Sequence, residues 1–208
     1  MQPSPRVIGI AGPSGSGKTT IARLVAESLP GGAVVFALDS YYIDQRDVSE
    51  ETINVDAPEA FDQALIFDQV RALLSGVPIQ QPIYDYATHS RASVRRNVQP
   101  MPNVIIEGIY ALYWPEVRKL LTTSVFLSLD HAICLERRID RDARERSRTR
   151  TAVVYHYERN VRPMYDLHIH PTREHATLVL DARAAADQLA ARILCSLESE
   201  EIRRRGQD

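Results

Sequence analysis

Gly12-Pro13-Ser14-Gly15-Ser16-Gly17-Lys18-Thr19 constrains this chain more than any other stretch. It fits the pattern G-x-x-x-x-G-K-[ST], in which a glycine-rich loop points backbone N–H groups at a phosphate. The flanks agree with it. Residues 6–11 (Arg-Val-Ile-Gly-Ile-Ala) are a short apolar run of the kind that forms a buried parallel strand. Ile21, Leu24, Val25 and Leu29 follow at helical spacing, and Pro30-Gly31-Gly32 stops the helix. Strand, glycine loop and helix together aim several N–H groups and the positive end of a helix at one point. A side chain at a loop glycine would block the phosphate or forbid the backbone angles. The expectation is a nucleoside triphosphate site, with Lys18 reaching the β- and γ-phosphates and the Thr19 hydroxyl ligating Mg²⁺.

The rest of the chain reads as strands alternating with helices. Residues 33–38, 104–106, 124–129 and 176–180 are apolar runs that supply four more strands. Helices are expected over 59–75 (stopped by Gly76), 131–146 and 152–167, with an amphipathic tail from 184 onward that ends in charged residues. A polar loop follows Asp39, and residues 78–98, with their prolines and alternating Val and Arg, read as a two-stranded excursion outside the main sheet. This alternation predicts one α/β domain: a five-stranded parallel sheet with helices on both faces. At 208 residues the chain suits one such domain better than two. A net charge of −2 gives no general affinity for nucleic acid or an anionic membrane. Cys134 and Cys195 fit no metal or redox spacing and read as reduced thiols. No apolar run approaches membrane-spanning length, and the first one lacks a basic leader, so a cytoplasmic location is expected.

In such a sheet, ligands bind beyond the carboxyl ends of the strands. The glycine loop follows the first strand there, Asp39 the second and Glu107 the third. Phosphoryl transfer requires positive charge on the moving group, a metal, and a base or aligner for the attacking hydroxyl. Lys18 and the loop supply the first, Thr19 with Glu107 the metal ligands, and Asp39 the base. Asp56-Ala57-Pro58-Glu59 also reads as a helix cap with its capping-box partner. Between 137 and 150 lie seven arginines; Arg137, Arg141, Arg144 and Arg148 would share one face of a continuous helix. In a phosphate-binding chain that segment (131–150) suits an arginine lid, because the guanidinium fork grips phosphate oxygens in two places. RNA binding is the other reading of the arginines, which the net charge does little to support.

Six motifs in order resemble the uridine kinase (uridine–cytidine kinase) family: Gly12 to Thr20; Asp39-Ser40-Tyr41-Tyr42; the run from Asn54 to Asp62; Pro82 to Arg91; Val104 to Ile109; and Arg137 to Asp142. Val161-Arg162-Pro163-Met164 also fits, and the likeness covers about residues 5–181. The resemblance implies a P-loop kinase that uses ATP (or GTP) and Mg²⁺ to phosphorylate the 5′-hydroxyl of uridine and cytidine, and a homo-oligomer, specifically a tetramer. It extends the phosphate loop to Thr20 and makes Asp39 the base. Asp56 and Arg138 would grip the ribose hydroxyls, and Tyr84 and His89 would contact the pyrimidine. Arg148 would help hold the nucleoside, and Arg141 and Arg146 would bind the transferring phosphates.

The chain departs from the family pattern in several places. Val55 stands where an aromatic is usual, Ala57 where His is frequent, and His156 where a Gln commonly contacts the nucleoside. Ser147 replaces a lid glycine, which strains the backbone if that residue takes φ > 0. Asp181-Ala182-Arg183 replaces a Pro-Arg-Gly turn near the adenine. These departures keep two alternatives open: a kinase of the same architecture acting on a phosphorylated sugar or vitamin precursor, and a non-catalytic nucleotide-binding regulator.

Overall fold

A computed structural model describes residues 5–44 and 54–205. In chain order the elements are β1 (Arg6–Ala11), α1 (Lys18–Ser28), β2 (Ala33–Ala37), α2 (Gln63–Leu74), β3 (Ile79–Gln81), β4 (Tyr84–Asp85), β5 (Ser90–Arg91), β6 (Arg96–Val98), β7 (Asn103–Glu107), α3 (Pro115–Arg118), β8 (Thr123–Ser128), α4 (His131–Arg146), α5 (Arg150–His156), α6 (Arg162–Met164), β9 (Leu178–Asp181) and α7 (Ala186–Arg205). Five strands form a sheet in the order β2-β7-β1-β8-β9, with every neighbouring pair parallel. Most of the expected polar loop after Asp39, over 45–53, and the last residues of the charged tail lie outside the described residues.

The strands are apolar throughout because both faces of the sheet are covered. Val7, Phe36, Val104, Ile106 and Phe126 point to one side, where Ile66, Val70 and Leu73 of α2 meet them. The alternate residues Ile8, Ile10, Ile105, Val125 and Leu127 point to the other, against Ile21 and Val25 of α1 and Leu189 and Ile193 of α7. Each such side chain, fully buried, contributes roughly 1.5–3 kcal/mol. β1 lies at the centre of the sheet, so the loop that follows it opens between the ends of β7 and β8. That crevice is where an open parallel sheet receives a ligand.

The excursion consists of two antiparallel pairs, β3 with β6 and, farther out, β4 with β5. Neither joins the main sheet. Arg91 ties it down: its Nε donates to the Tyr42 carbonyl at 2.7 Å and Nη2 to the Tyr41 carbonyl at 3.0 Å, while Nη1 reaches Asp62 at 3.0 Å.

Several boundaries differ from the expectation. The second strand stops at Ala37, and Asp39 sits in a 3₁₀ turn, Leu38–Tyr41. The helix expected over 59–75 is a 3₁₀ turn, Pro58–Ala60, followed by α2. The cap of α2 is Asp62, whose side chain accepts from the Leu65 N–H at 3.1 Å, so Asp56 has no capping role. The helix expected over 152–167 runs instead through α5, a π-helical turn (Tyr157–Val161), α6, a second π turn (Tyr165–Ile169) and a 3₁₀ turn (His170–His175). Its buried apolar residues are Val153, Tyr157, Val161, Tyr165 and Ile169, each four after the last. On an α-helix that spacing drifts about 40° per step, and the wider π turns absorb the drift and keep the stripe on the core. Among the described residues no helix is long and apolar enough to cross a membrane. Cys134 is buried, Cys195 is exposed, and both are free thiols.

Candidate active site

The loop between β1 and α1 is fixed by close approach. A Cβ on Gly12, at φ 145°, would lie 2.5 Å from the Leu127 carbonyl oxygen, so only glycine fits beside β8. Lys18 opens α1 and is 8% exposed; its Nζ donates to the carbonyls of Gly12 at 3.1 Å and Pro13 at 2.9 Å. Burial pulls the Lys18 pKa down, against the charges of Glu107 and Asp39. The Thr19 hydroxyl donates to Glu107 Oε1 at 3.0 Å. Burial, and next the charge of Asp39, push the Glu107 carboxyl up to about 7, while Lys18 and the Thr19 hydrogen bond oppose the shift. A hydroxyl and a buried carboxylate close to a second one form a hard-oxygen donor set whose repulsion a divalent cation relieves. Thr19 and Glu107 therefore fit Mg²⁺, which takes few protein ligands beside phosphate and water.

Asp39 enters the same cleft from its 3₁₀ turn. The Tyr86 hydroxyl donates to Asp39 Oδ2 at 3.1 Å, and the Arg146 guanidinium lies 4.1 Å from the centre of the Tyr86 ring. Burial and the Asp39 charge raise the Tyr86 pKa, so the phenol keeps its proton and acts as donor.

Asp56 is 5% exposed, yet its side chain lacks close donors. Arg138 Nη1 stands 3.8 Å from Oδ1 and His156 Nε2 stands 3.9 Å from Oδ2. Both distances exceed a hydrogen bond, and Oδ2 has no hydrogen-bond partner among the described residues. A buried carboxylate oxygen left in this state suits a hydroxyl donor from a ligand. Arg138, itself 5% exposed, bridges from here to the phosphate loop, its Nη1 donating to Ser14 Oγ at 3.2 Å.

The structure brings most of the expected residues onto one cavity of about 500 Å³. Ser14, Gly15, Gly17, Lys18, Thr19 and Thr20 line it from the loop and α1. Asp39, Asp56, Glu107, Arg138, Arg141, Arg146 and Arg148 line it from the other elements. Gly12 and Ser16 shape the loop from beneath; Ser16 is buried. A second cavity of about 410 Å³ shares Val55, Tyr86, Arg146 and Arg148 with the first and adds Ala87, His89, Ala152 and His156. Burial, helped by Arg138 and Arg148, lowers the His156 pKa against the pull of Asp56, so the imidazole is neutral at pH 7.

Two expectations for site residues are corrected. Tyr84 lies on the wall of neither cavity. It is buried with its ring 5.0 Å from that of Tyr42, and it borders a neighbouring pocket that shares Asp39 and Tyr86 with the first cavity and adds Pro82, Ile83 and Arg96. The chain turns just after β4, so Tyr86 is the tyrosine that faces the ligand cavities. The arginines of α4 also divide differently. The helix ends at Arg146, and Ser147 adopts φ 52°, so Arg148 lies beyond the helix rather than on its face. Arg137, Arg141, Arg144 and Arg148 all line the first cavity as expected, and Arg138, Asp142 and Arg146 add a more deeply set row at i,i+4 spacing. Arg23 and Glu145 line the cavity from outside the quoted motifs, while Tyr42, Tyr86 and Ile109 lie within them but were given no role.

The left-handed Ser147 carries the strain that the sequence made conditional on φ. Ser147→Gly is expected to stabilise the protein by about 1 kcal/mol, because L-residues with a Cβ pay that much in this region. A raised urea midpoint at unchanged slope is the expected readout; no change in the midpoint would mean that the serine is unstrained there.

Comparison with known proteins adds four findings. A model of the phosphoribulokinase/uridine kinase family matches residues 7–188. The chain is 39% identical over 205 residues to the uridine kinase of Ligilactobacillus salivarius (strain UCC118), covering 97% of this chain and 96% of that one. It is 41% identical over 197 residues to the uridine kinase of Deinococcus deserti (strain DSM 17065 / CIP 109153 / LMG 22923 / VCD115), covering 91% and 95%. Its fold superposes on phosphoribulokinase from Rhodobacter spheroides with a TM-score of 0.63 at 13% identity, covering 88% of this chain and 74% of that one.

Proposed function

The chain belongs to the phosphoribulokinase/uridine kinase family, and from that premise we propose that it transfers the γ-phosphoryl group of ATP to the 5′-hydroxyl of uridine and cytidine, giving UMP and CMP. One observation carries the choice of acceptor. The buried, donor-poor Asp56 carboxylate lines the phosphate-loop cavity, and His156, 3.9 Å from it, lines the second, so a vicinal diol held at Asp56 would have a flat base beyond it.

In this reading Asp56 accepts from the ribose hydroxyls and Arg138 donates to them. His89 and the neutral His156 face the base, Arg148 helps hold the nucleoside, and Tyr86 takes the part of pocket ring expected of Tyr84. The Asp39 carboxylate removes the proton of the 5′-hydroxyl as its oxygen attacks the γ-phosphorus, and ADP departs. The Tyr86 hydroxyl orients that carboxylate. Lys18, the loop N–H groups, Arg141 and Arg146 stabilise the charge on the moving phosphoryl group. Mg²⁺, held by Thr19 and Glu107, would neutralise the phosphate oxygens.

A coupled assay of ADP release with a panel of nucleosides, phosphorylated sugars and vitamin precursors tests the proposal. Uridine and cytidine are expected to give the highest kcat/KM. Turnover of a sugar with no turnover of either nucleoside would reject it.

A further inference from the structure

Asp142 is the most enclosed charged side chain in the site, at 0% exposure, and four guanidinium groups surround it. Its two oxygens divide them. Oδ1 lies 3.0 Å from Arg141 Nη2 and 3.4 Å from Arg146 Nη1. Oδ2 lies 3.7 Å from Arg138 Nε and 3.9 Å from Arg148 Nη1. The first pair is the one assigned above to the transferring phosphate, and the second is the one assigned to the nucleoside. The local chain makes this grouping possible. Arg138 and Arg146 stand one turn before and after Asp142 on α4. The left-handed Ser147 then reverses the chain, and the Arg148 N–H donates to the Asp142 carbonyl at 3.1 Å, which folds that side chain back.

We propose that Asp142 is a positioning residue of this kinase, one carboxylate oxygen setting the phosphate-gripping arginines and the other the nucleoside-gripping arginines. The inference rests on the proposed function for the identity of the two substrates. Without the carboxylate, four like charges in one cleft repel and leave their shared geometry. Asp142 Oδ2 and Arg138 Nε are buried without hydrogen-bond partners among the described residues. Arg141 is bonded directly, its Nε donating to Oδ1 at 3.0 Å, whereas Arg138, Arg146 and Arg148 are held by charge at distances that leave N–H groups available to a ligand. Asp142 does not line either ligand cavity, so it acts through the arginines.

Asp142→Asn keeps the shape and removes the charge, and the sign of its effect on ATP discriminates. If Asp142 were only a neutralising charge, its loss would make the cleft more positive and tighten ATP binding. If it positions, ATP and uridine KM both rise and kcat falls by about 10²-fold, the scale of effect from an ångström of misplacement. Asp142→Glu, which keeps the charge but displaces the oxygens, is then impaired as well. Melting temperature and far-ultraviolet circular dichroism of both variants separate this from a folding defect. A folded Asp142→Asn variant with kcat within twofold of wild type, or with tighter ATP binding at unchanged kcat, would overturn the proposal. Wild-type turnover of uridine, measured alongside, reports separately on the function. Should that be absent, calorimetric titration with ATP and magnesium decides between weaker and tighter binding in the variant.

Discussion

Replacing Lys18 with alanine is expected to reduce phosphoryl transfer by at least about 10²-fold, the usual cost of removing a preorganised donor from developing transition-state charge. The ligand-free protein should be no less stable for the change. Lys18 is buried with a lowered pKa, so its ammonium is held in the fold at a desolvation cost, offset by the carbonyls of Gly12 and Pro13. Those carbonyls face a phosphate cradle, and the lysine contacts them rather than a carboxylate. The variant should therefore melt at or above the wild-type temperature while losing most of the stabilisation by ATP and magnesium. For wild type that stabilisation is about 2.7 kcal/mol at a hundredfold excess over Kd. A variant retaining more than about a tenth of wild-type turnover would contradict the role given to the phosphate loop.

Asp39→Asn is expected to lower kcat by roughly 10²–10⁴, the range for loss of a general base, with little change in nucleoside KM. The amide keeps the shape of the carboxylate and can still accept the Tyr86 hydrogen bond, so the turn Leu38–Tyr41 should stand. What is lost is the ability to take a proton. Steady-state kinetics with uridine varied at saturating ATP separates the two parameters. An unchanged kcat with a raised KM would make Asp39 a binding residue and place the base elsewhere.

The residues that end strands were legible in the sequence. Asp39 and Glu107 follow short apolar runs, and a parallel sheet delivers such residues to one edge whatever else the chain does. The extent of α4 was legible too, and its end shows in the structure as the turn at Ser147. Other features depended on long-range packing. Asp56 and Asp62 both satisfy a cap rule, and only the break at Phe61 assigns that work to Asp62. Tyr84 and Tyr86 are two apart, and which one meets a ligand depends on where the excursion turns against Tyr42. Asp142 was unreadable as a special residue. In a run of alternating charges, a fully enclosed carboxylate has the same local pattern as a solvated one.

The excursion over residues 79–98 has a consequence beyond the site it borders. Ile79 and Val98 are direct partners, so the segment leaves and re-enters the body of the protein at adjacent points. It shares no ladder with the five-stranded sheet that carries the phosphate loop, Asp39 and Glu107. Tyr86 and His89, which the proposed function sets against the acceptor, thus stand on an element apart from that sheet, attached through Arg91, Tyr86, the Gln69–Gln80 hydrogen bond and the buried Ile79 and Tyr84. In the proposed reading, a change at His89 alters the base contact while the sheet that delivers Lys18, Asp39 and Glu107 stays as it is.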